Sequence, residues 1–191
     1  MSLYKNKYRI ETARLPGWDY SSAAYYFITI CTHGKQPFFG LLRKGRMDFS
    51  KIGRIAEQCW MEIPIHFPQT QLHEHVVMPN HVHGIIRIVD NVPDQIVETQ
   101  NFAPLQKCEN PQNPKKSFQP NAFGPQLKNI GSIIRGYKIG ATKWCTMQNI
   151  NFSWQHRFYD HIIRDNRELY RIRKYIIDNP KNWQRDRNYY P

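Results

Sequence analysis

Two histidines, His81 and His83, stand two residues apart in the run VVMPNHVHGIIRIV, residues 76–89. Successive side chains of a strand point to opposite faces. His81, His83, Ile85 and Arg87 therefore share one face, and Val82, Gly84, Ile86 and Ile88 the other. Neutral imidazole offers a nitrogen lone pair, and two on one face can grip a single divalent ion. A packed, purely structural pair fits the same spacing. A second pair, His73 and His75, lies on the preceding run, which raises a four-histidine zinc site and a zinc-dependent hydrolase. The turn between the runs decides. An even number of turn residues sets Met78 opposite His81 and Val76 opposite His83, and sends His73 and His75 to the far face. An odd number reverses this. Pro79-Asn80 does not suit a tight type I′ turn, so a longer loop is expected.

The chain has 191 residues, enough for one domain with a real core. Its 40% hydrophobic and 14% aromatic content suits a globular protein. No apolar run approaches the roughly 20 residues a bilayer span needs. The start, MSLYKNKYRIETARL, has no apolar h-region. A cytoplasmic protein with no membrane partner is expected. Cys31, Cys59, Cys108 and Cys145 are scattered and form no CxxC pair, which argues against a zinc ribbon or a disulfide framework. The formal net charge is +12. That excess favours a polyanionic partner. Aromatic residues interleaved with lysines and arginines, such as Tyr137, Trp144, Trp154, Phe158 and Trp183, suit single-stranded nucleic acid.

These residues need elements to position them. AAYYFITICT, residues 23–32, reads as a buried strand, and GRMDFS as a short one. Ser50 is placed to cap a helix over KIGRIAEQCWMEI, with Ile52, Ile55, Ala56, Cys59 and Ile63 as its stripe and Pro64 as its end. QLHEHVVM and HVHGIIRIV form a hairpin. Residues 90–125, dense in Pro, Asn and Gln, read as an excursion within a single domain. Helical spacing resumes with Ile130, Ile133, Ile134, Tyr137 and Ala141 on one side, although Gly131, Gly136 and Gly140 weaken it. WQHRFYDHIIR reads as a strand. In the last helix Asp165 and Glu168 form a capping box, Leu169, Ile172 and Ile176 face inward, and Pro180 turns Asn179 away from helical geometry. The order argues for an α+β fold, an antiparallel sheet with helices packed on it.

VMPNHVHGIIRI resembles the His-hydrophobic-His signature of HUH nucleases and single-tyrosine transposases, the IS200-like superfamily. YYFITICTHGKQPFFG resembles the first strand of that family, and WQHRFYDHIIRDNRELYRIRKYIIDNP its C-terminal end. The branch most similar is that of the REP-associated tyrosine transposases, whose last helix carries a Tyr-Ile-x-x-Asn-Pro pattern, here residues 175–180. The resemblance implies a ferredoxin-like sheet with the histidines on a central strand. It implies Tyr175 as nucleophile, Mg²⁺ or Mn²⁺ held by His81 and His83, and Asn179 as third ligand. It implies cleavage and rejoining of single-stranded DNA with palindromic hairpins through a 5′-phosphotyrosine, and a monomer, with a homodimer as the alternative.

Helical geometry agrees with that implication. Tyr175 and Asn179, four residues apart, share a face, whereas Tyr170 lies about 140° around the axis. Tyr159 reads as packing, and Tyr189 and Tyr190 as loose terminal residues. Trp154, Gln155 and Arg157 match the family's Trp-Gln region, and Arg164 follows them. With Arg135 and Lys138 they are the candidates for DNA contact. The rival readings are a non-catalytic nucleic-acid-binding module of the same fold and the zinc-dependent hydrolase.

Overall fold

The computed structural model describes residues 14–90 and 129–189. The Pro/Asn/Gln-rich excursion expected at 90–125 lies, but for Asp90, outside them, as does Tyr190. The chain runs β1 (Ala24–Cys31), β2 (Gly40–Arg43), β3 (Arg46–Phe49), α1 (Lys51–Met61), α2 (Ile63–His66), β4 (Thr70–Met78), β5 (His81–Ile88), α3 (Ile130–Met147), β6 (Tyr159–Ile163) and α4 (Asn166–Asp178). The main sheet has the order β4-β5-β1-β6, every pair antiparallel. With β2 and β3 set aside as a separate hairpin, the β1-α1-β4-β5-α3-β6 path is the split βαββαβ unit of a ferredoxin-like fold. The helix α4 is added at its end.

Alternation along the two central strands divides the core. Tyr26, Ile28 and Ile30 of β1 and Val82, Ile86 and Ile88 of β5 join Trp60 of α1 and Ile133, Ile134 and Tyr137 of α3 in the larger cluster. On the opposite face Ile85 and Ile163 meet Leu169 and Ile176 of α4, with Tyr25, Phe27, Val76 and Ile172 packed around them. The expected inward residues of α3 and α4 are therefore the ones that pack. Trp60, fully buried, is a core residue beyond the expected stripe of α1. Ser50 caps α1 by accepting from the Gly53 amide at 3.0 Å, and Asp165 caps α4 by accepting from the Glu168 amide at 2.7 Å.

Four expectations are corrected. The β4–β5 turn is only Pro79-Asn80, with Met78 paired to His81 and Val76 to His83. The pair is held because the Asn80 side chain and backbone carbonyl bond the neighbouring 32–35 segment. Pro64 does not end α1; it lies in the first turn of α2, where a missing N–H costs nothing. The strand expected over 154–164 is reduced to β6 and an isolated bridge of Trp154 to Thr32, with the carbonyls of Gln155 and Arg157 between them taken by the Lys138 ammonium. Asn179 keeps helical dihedrals (φ −55°, ψ −44°) in spite of Pro180, with its amide bonded to the Ile176 carbonyl at 3.3 Å.

Two glycines mark close approaches. A Cβ at Gly84 would run into the indole of Trp60, and one at Gly136 would come within 2.9 Å of the Phe67 ring. The glycines that weakened the α3 signal thus include one that lets α3 lie against the end of α2. Gly84→Ala is expected to destabilise the fold by about 1–3 kcal/mol through overpacking, read from the urea midpoint at unchanged slope.

Candidate active site

The register of β5 sets both imidazoles on the α4 face, their ring centroids 4.3 Å apart. His81 and His83 are 0% and 1% exposed. Each ring is fixed through one nitrogen. His81 Nδ1 meets Asn80 Oδ1 at 2.9 Å, so it donates there and leaves Nε2 as a lone pair. That Nε2 is buried and meets no protein partner among the described residues. His83 Nδ1 lies 2.9 Å from Thr29 Oγ1, supplied by the neighbouring strand.

Against these rings α4 sets Tyr175, whose hydroxyl is 3.1 Å from His83 Nε2 and donates to Asp186 Oδ2 at 2.9 Å. Asn179, one turn on and 2% exposed, donates through Nδ2 to the same carboxylate oxygen at 2.8 Å. Its Oδ1 is buried and meets no partner among the described residues. Asp186 Oδ1 accepts the Asn188 amide at 2.6 Å. Ligand atoms of His81, His83 and Asp186 all lie within 4.8 Å of one another. The three residues can hold a metal ion: two imidazole nitrogens and a carboxylate oxygen suit a divalent cation, and the bonds to Asn80 and Thr29 already orient both rings.

Asp186 is the residue that sequence reasoning missed. Its one signal is being the sole acidic residue in an otherwise basic stretch after Asp178. The expectation that the C-terminal tyrosines are loose is overturned for Tyr189, whose ring packs 5.3 Å from that of Trp183, itself 5.7 Å from the His81 ring. Lys35 Nζ donates to the Arg187 carbonyl and Asn80 Nδ2 to the Asn188 carbonyl. The segment after α4 thus lies across the site and brings the carboxylate with it.

Burial sets the electrostatics. Desolvation lowers the pKa of both histidines, His81 well below its usual value with His83 adding to the effect, while Asp186 opposes the shift. Burial pulls the Asp186 carboxyl upward, but the His83 imidazole 3.9 Å away and hydrogen bonds from the Asn188 amide and Asn179 prevail and hold it well below the usual range. Tyr175 is raised above the ordinary phenol value, first by burial and then by the Asp186 charge. As the protein stands, the phenol keeps its proton.

The second histidine pair does not join the site. A bulge sets residues 73 and 74 opposite Ile85 alone, since Leu72 pairs with Ile86 and His75 with Gly84. The turn is even, yet only His75 goes to the far face, stacked on Trp60 and bonded to Glu57 at 2.9 Å. His73 stays on the α4 side, where its Nδ1 accepts from Arg173 at 2.8 Å. Among the described residues the four imidazoles do not converge.

No family model matches the chain. A Haemophilus influenzae protein described as uncharacterized is 37% identical over 180 residues, covering 94% of this chain and 92% of that protein. The two belong to one family. A solved structure of a REP-associated tyrosine transposase bound to a REP hairpin superposes with a TM-score of 0.57 at 16% identity, over 96% of this chain and 89% of that one. The chain has the fold of that REP-associated tyrosine transposase.

In that fold the other expected residues are dispersed. Tyr170 is 70% exposed and turned away from the site, whereas Tyr159, expected to pack, is exposed with the Arg187 guanidinium 5.4 Å above its ring. Arg164, exposed, donates its amide to Glu168. Trp154 packs among Phe39, Tyr137 and Phe152 and donates to the Lys138 carbonyl. Gln155 and Arg157 are exposed beside it, and Arg135 is exposed on α3. Arg171, Lys174 and Arg185 instead line a cleft of about 290 Å³ with Tyr175. Among the described residues no helix is long and apolar enough to cross a membrane.

Two outcomes are expected. Below pH 6.5 the unfolded chain protonates His81 and His83 while the folded one resists. Stability is therefore lost as pH falls from 6.5 toward the lowered folded pKa values, by up to about 1.4 kcal/mol per pH unit for each histidine. Chemical denaturation at stepped pH checks this, and the slope should flatten in His81→Gln/His83→Gln. Asn80→Ala releases the His81 ring and should weaken Mn²⁺ binding by about 10–100-fold, measured calorimetrically.

Proposed function

We propose that this protein is a metal-dependent single-stranded DNA endonuclease and strand transferase. Tyr175 is its nucleophile, and its substrate carries palindromic hairpins of the REP type. The observation that carries the proposal is the meeting of the Tyr175 hydroxyl with His83 Nε2 and Asp186 within one chain. The fold shared with a transposase bound to a REP hairpin supports the substrate class.

His81 Nε2, His83 Nε2 and an Asp186 oxygen would hold the ion, with the orphaned Asn179 Oδ1 beside them. Bound there, Mg²⁺ or Mn²⁺ would supply positive charge to the phosphoryl oxygens and would favour phenolate over phenol. Asp186 replaces Asn179 as the principal third ligand, because a carboxylate is the stronger partner for a divalent ion and Asn179 already donates to it.

The chain's own atoms account for the rest. The α4 helix holds the Tyr175 oxygen at the mouth of the cleft, Asp186 accepts a hydrogen bond from the phenol, and the proton leaves to solvent water as the phenolate forms. The phenolate oxygen attacks phosphorus and the P–O3′ bond breaks. The tyrosine then carries the 5′ phosphate, and the departing 3′ oxygen takes up a proton. Arg171, Lys174 and Arg185 flank the path of the strand. The phosphotyrosine retains the ester linkage, so a 3′-hydroxyl of a second strand can reverse the step. That suits strand transfer rather than degradation.

Labelled single-stranded oligonucleotides with hairpins, incubated with Mn²⁺, should give a DNA–protein adduct that survives SDS. The adduct should vanish in Tyr175→Phe and with EDTA, and fall at least 100-fold in Asp186→Ala. Cleavage persisting in Tyr175→Phe would instead indicate a hydrolase, and hairpin binding without any adduct a non-catalytic module.

A further inference from the structure

The bulge in β4 turns two adjacent side chains the same way. Strict alternation would send Glu74 to the face opposite His73. Residues 73 and 74 share the place opposite Ile85, and both side chains reach the α4 side, while Leu72 and His75 keep to the other. The edge strand thus presents a fork, and Arg173 of α4 fills it. Its Nη2 donates to His73 Nδ1 at 2.8 Å, and its Nε lies 2.8 Å from Glu74 Oε2. A planar guanidinium engages both groups at once, which the point charge of an ammonium does less well.

Helical geometry makes this grip felt at Tyr175. At about 100° per residue, Arg173 and Tyr175 stand about 160° apart, with Leu169, Ile172 and Ile176 in the arc between them. That apolar stripe sets which side of α4 faces the sheet. Apolar packing is non-directional, however, and leaves small rotations about the helix axis open. Arg173 holds one flank of the stripe to β4. On the other flank the first turn is tied to β6, where Glu168 Oε1 meets His161 Nε2 at 2.9 Å. The bonds of the Tyr175 hydroxyl to His83 and Asp186 cannot hold the helix through the reaction, because that oxygen must exchange them for phosphorus. The ties at the two edges of the sheet involve no reacting atom. Arg171 and Lys174 line the cleft beside Tyr175, whereas Arg173 between them does not.

We propose that Arg173 is a positioning residue for the nucleophile: seated in the β4 fork through Glu74 and His73, it locks α4 against rotation and so fixes the Tyr175 oxygen over the histidine pair. The role rests on the reading of Tyr175 as nucleophile. It requires Arg173 to act on the rate of the chemical step and not on the capture of DNA.

The test uses the full chain, Mn²⁺ and a labelled hairpin-bearing oligonucleotide, with adduct formation followed in single turnovers over a range of protein concentrations. In Arg173→Gln the maximal rate should fall about 10–100-fold, as expected when a reacting atom is misplaced by about 1 Å, while the half-saturating concentration stays within about two-fold. Arg173→Lys keeps the charge and should recover part of the rate. Glu74→Gln should lower the rate as well, and Arg173→Gln/Glu74→Gln should lose no more than Arg173→Gln alone, since the halves of one clamp are not additive. Urea midpoints establish that each variant is folded. Should Arg173→Gln not fold, Glu74→Gln against the unsubstituted protein carries the same comparison. An unchanged maximal rate, a loss confined to the half-saturating concentration, or additive losses in the double variant would overturn the role. If the unsubstituted protein gives no adduct, the reading of Tyr175 as nucleophile falls and this role with it; a failure seen only among the variants counts against the clamp alone.

Discussion

Two imidazoles are buried side by side in the middle of a sheet, and the rest of the site follows from keeping them there. Desolvation keeps both neutral, and each then needs a partner for the nitrogen that carries hydrogen. Asn80 accepts from Nδ1 of His81, and the Thr29 hydroxyl fixes the His83 ring through its Nδ1. Those two bonds leave both Nε2 atoms aimed to one side, where α4 and the segment after it supply a phenol, an amide and a carboxylate. Were the His81 ring in the other tautomer, its lone pair would face Asn80 Oδ1 instead of the site.

The sheet separates two tasks. One face is sealed by α1 and α3 over a large apolar core, with Trp60 filling the space that Gly84 leaves open. The other carries a small apolar cluster beneath α4 and, beside it, the polar site. The small cluster matters because Ile85, Leu169 and Ile176 fix the height and rotation of α4 over β5, and hence where Tyr175 sits. Arg173, bonded to His73 and within 2.8 Å of Glu74, ties the same helix to the bulged edge strand.

Much of this was legible in the sequence where periodicity and burial coincide. The two faces of β5, the inward residues of α3 and the capped α4 follow from alternation and helical spacing, and the resemblance drew Tyr175 to the histidines. What escaped was decided by tertiary contacts. The bulge that parts His73 from His75 leaves no mark in a run of alternating residues. A tight Pro79-Asn80 turn contradicts local turn preferences because its asparagine is claimed by the 32–35 segment. Asp186 lies in a stretch without periodicity, and its partner atoms come from far along the chain. Trp154, read by its motif as a DNA contact candidate, packs in an aromatic cluster that single-chain spacing does not reveal.

The Asn80 side chain touches three parts of the molecule at once. Its oxygen orients His81, and its nitrogen donates to the carbonyls of Lys35 and Asn188. An amide in a hairpin turn is thus completed only after the C-terminal segment arrives. During synthesis the sheet's first three strands can pair long before Asp186 and Asn188 have emerged, so the half-made centre offers two imidazoles and no carboxylate. Completion of the His-His-Asp cluster therefore waits on a distant closure rather than on the strand that bears the histidines.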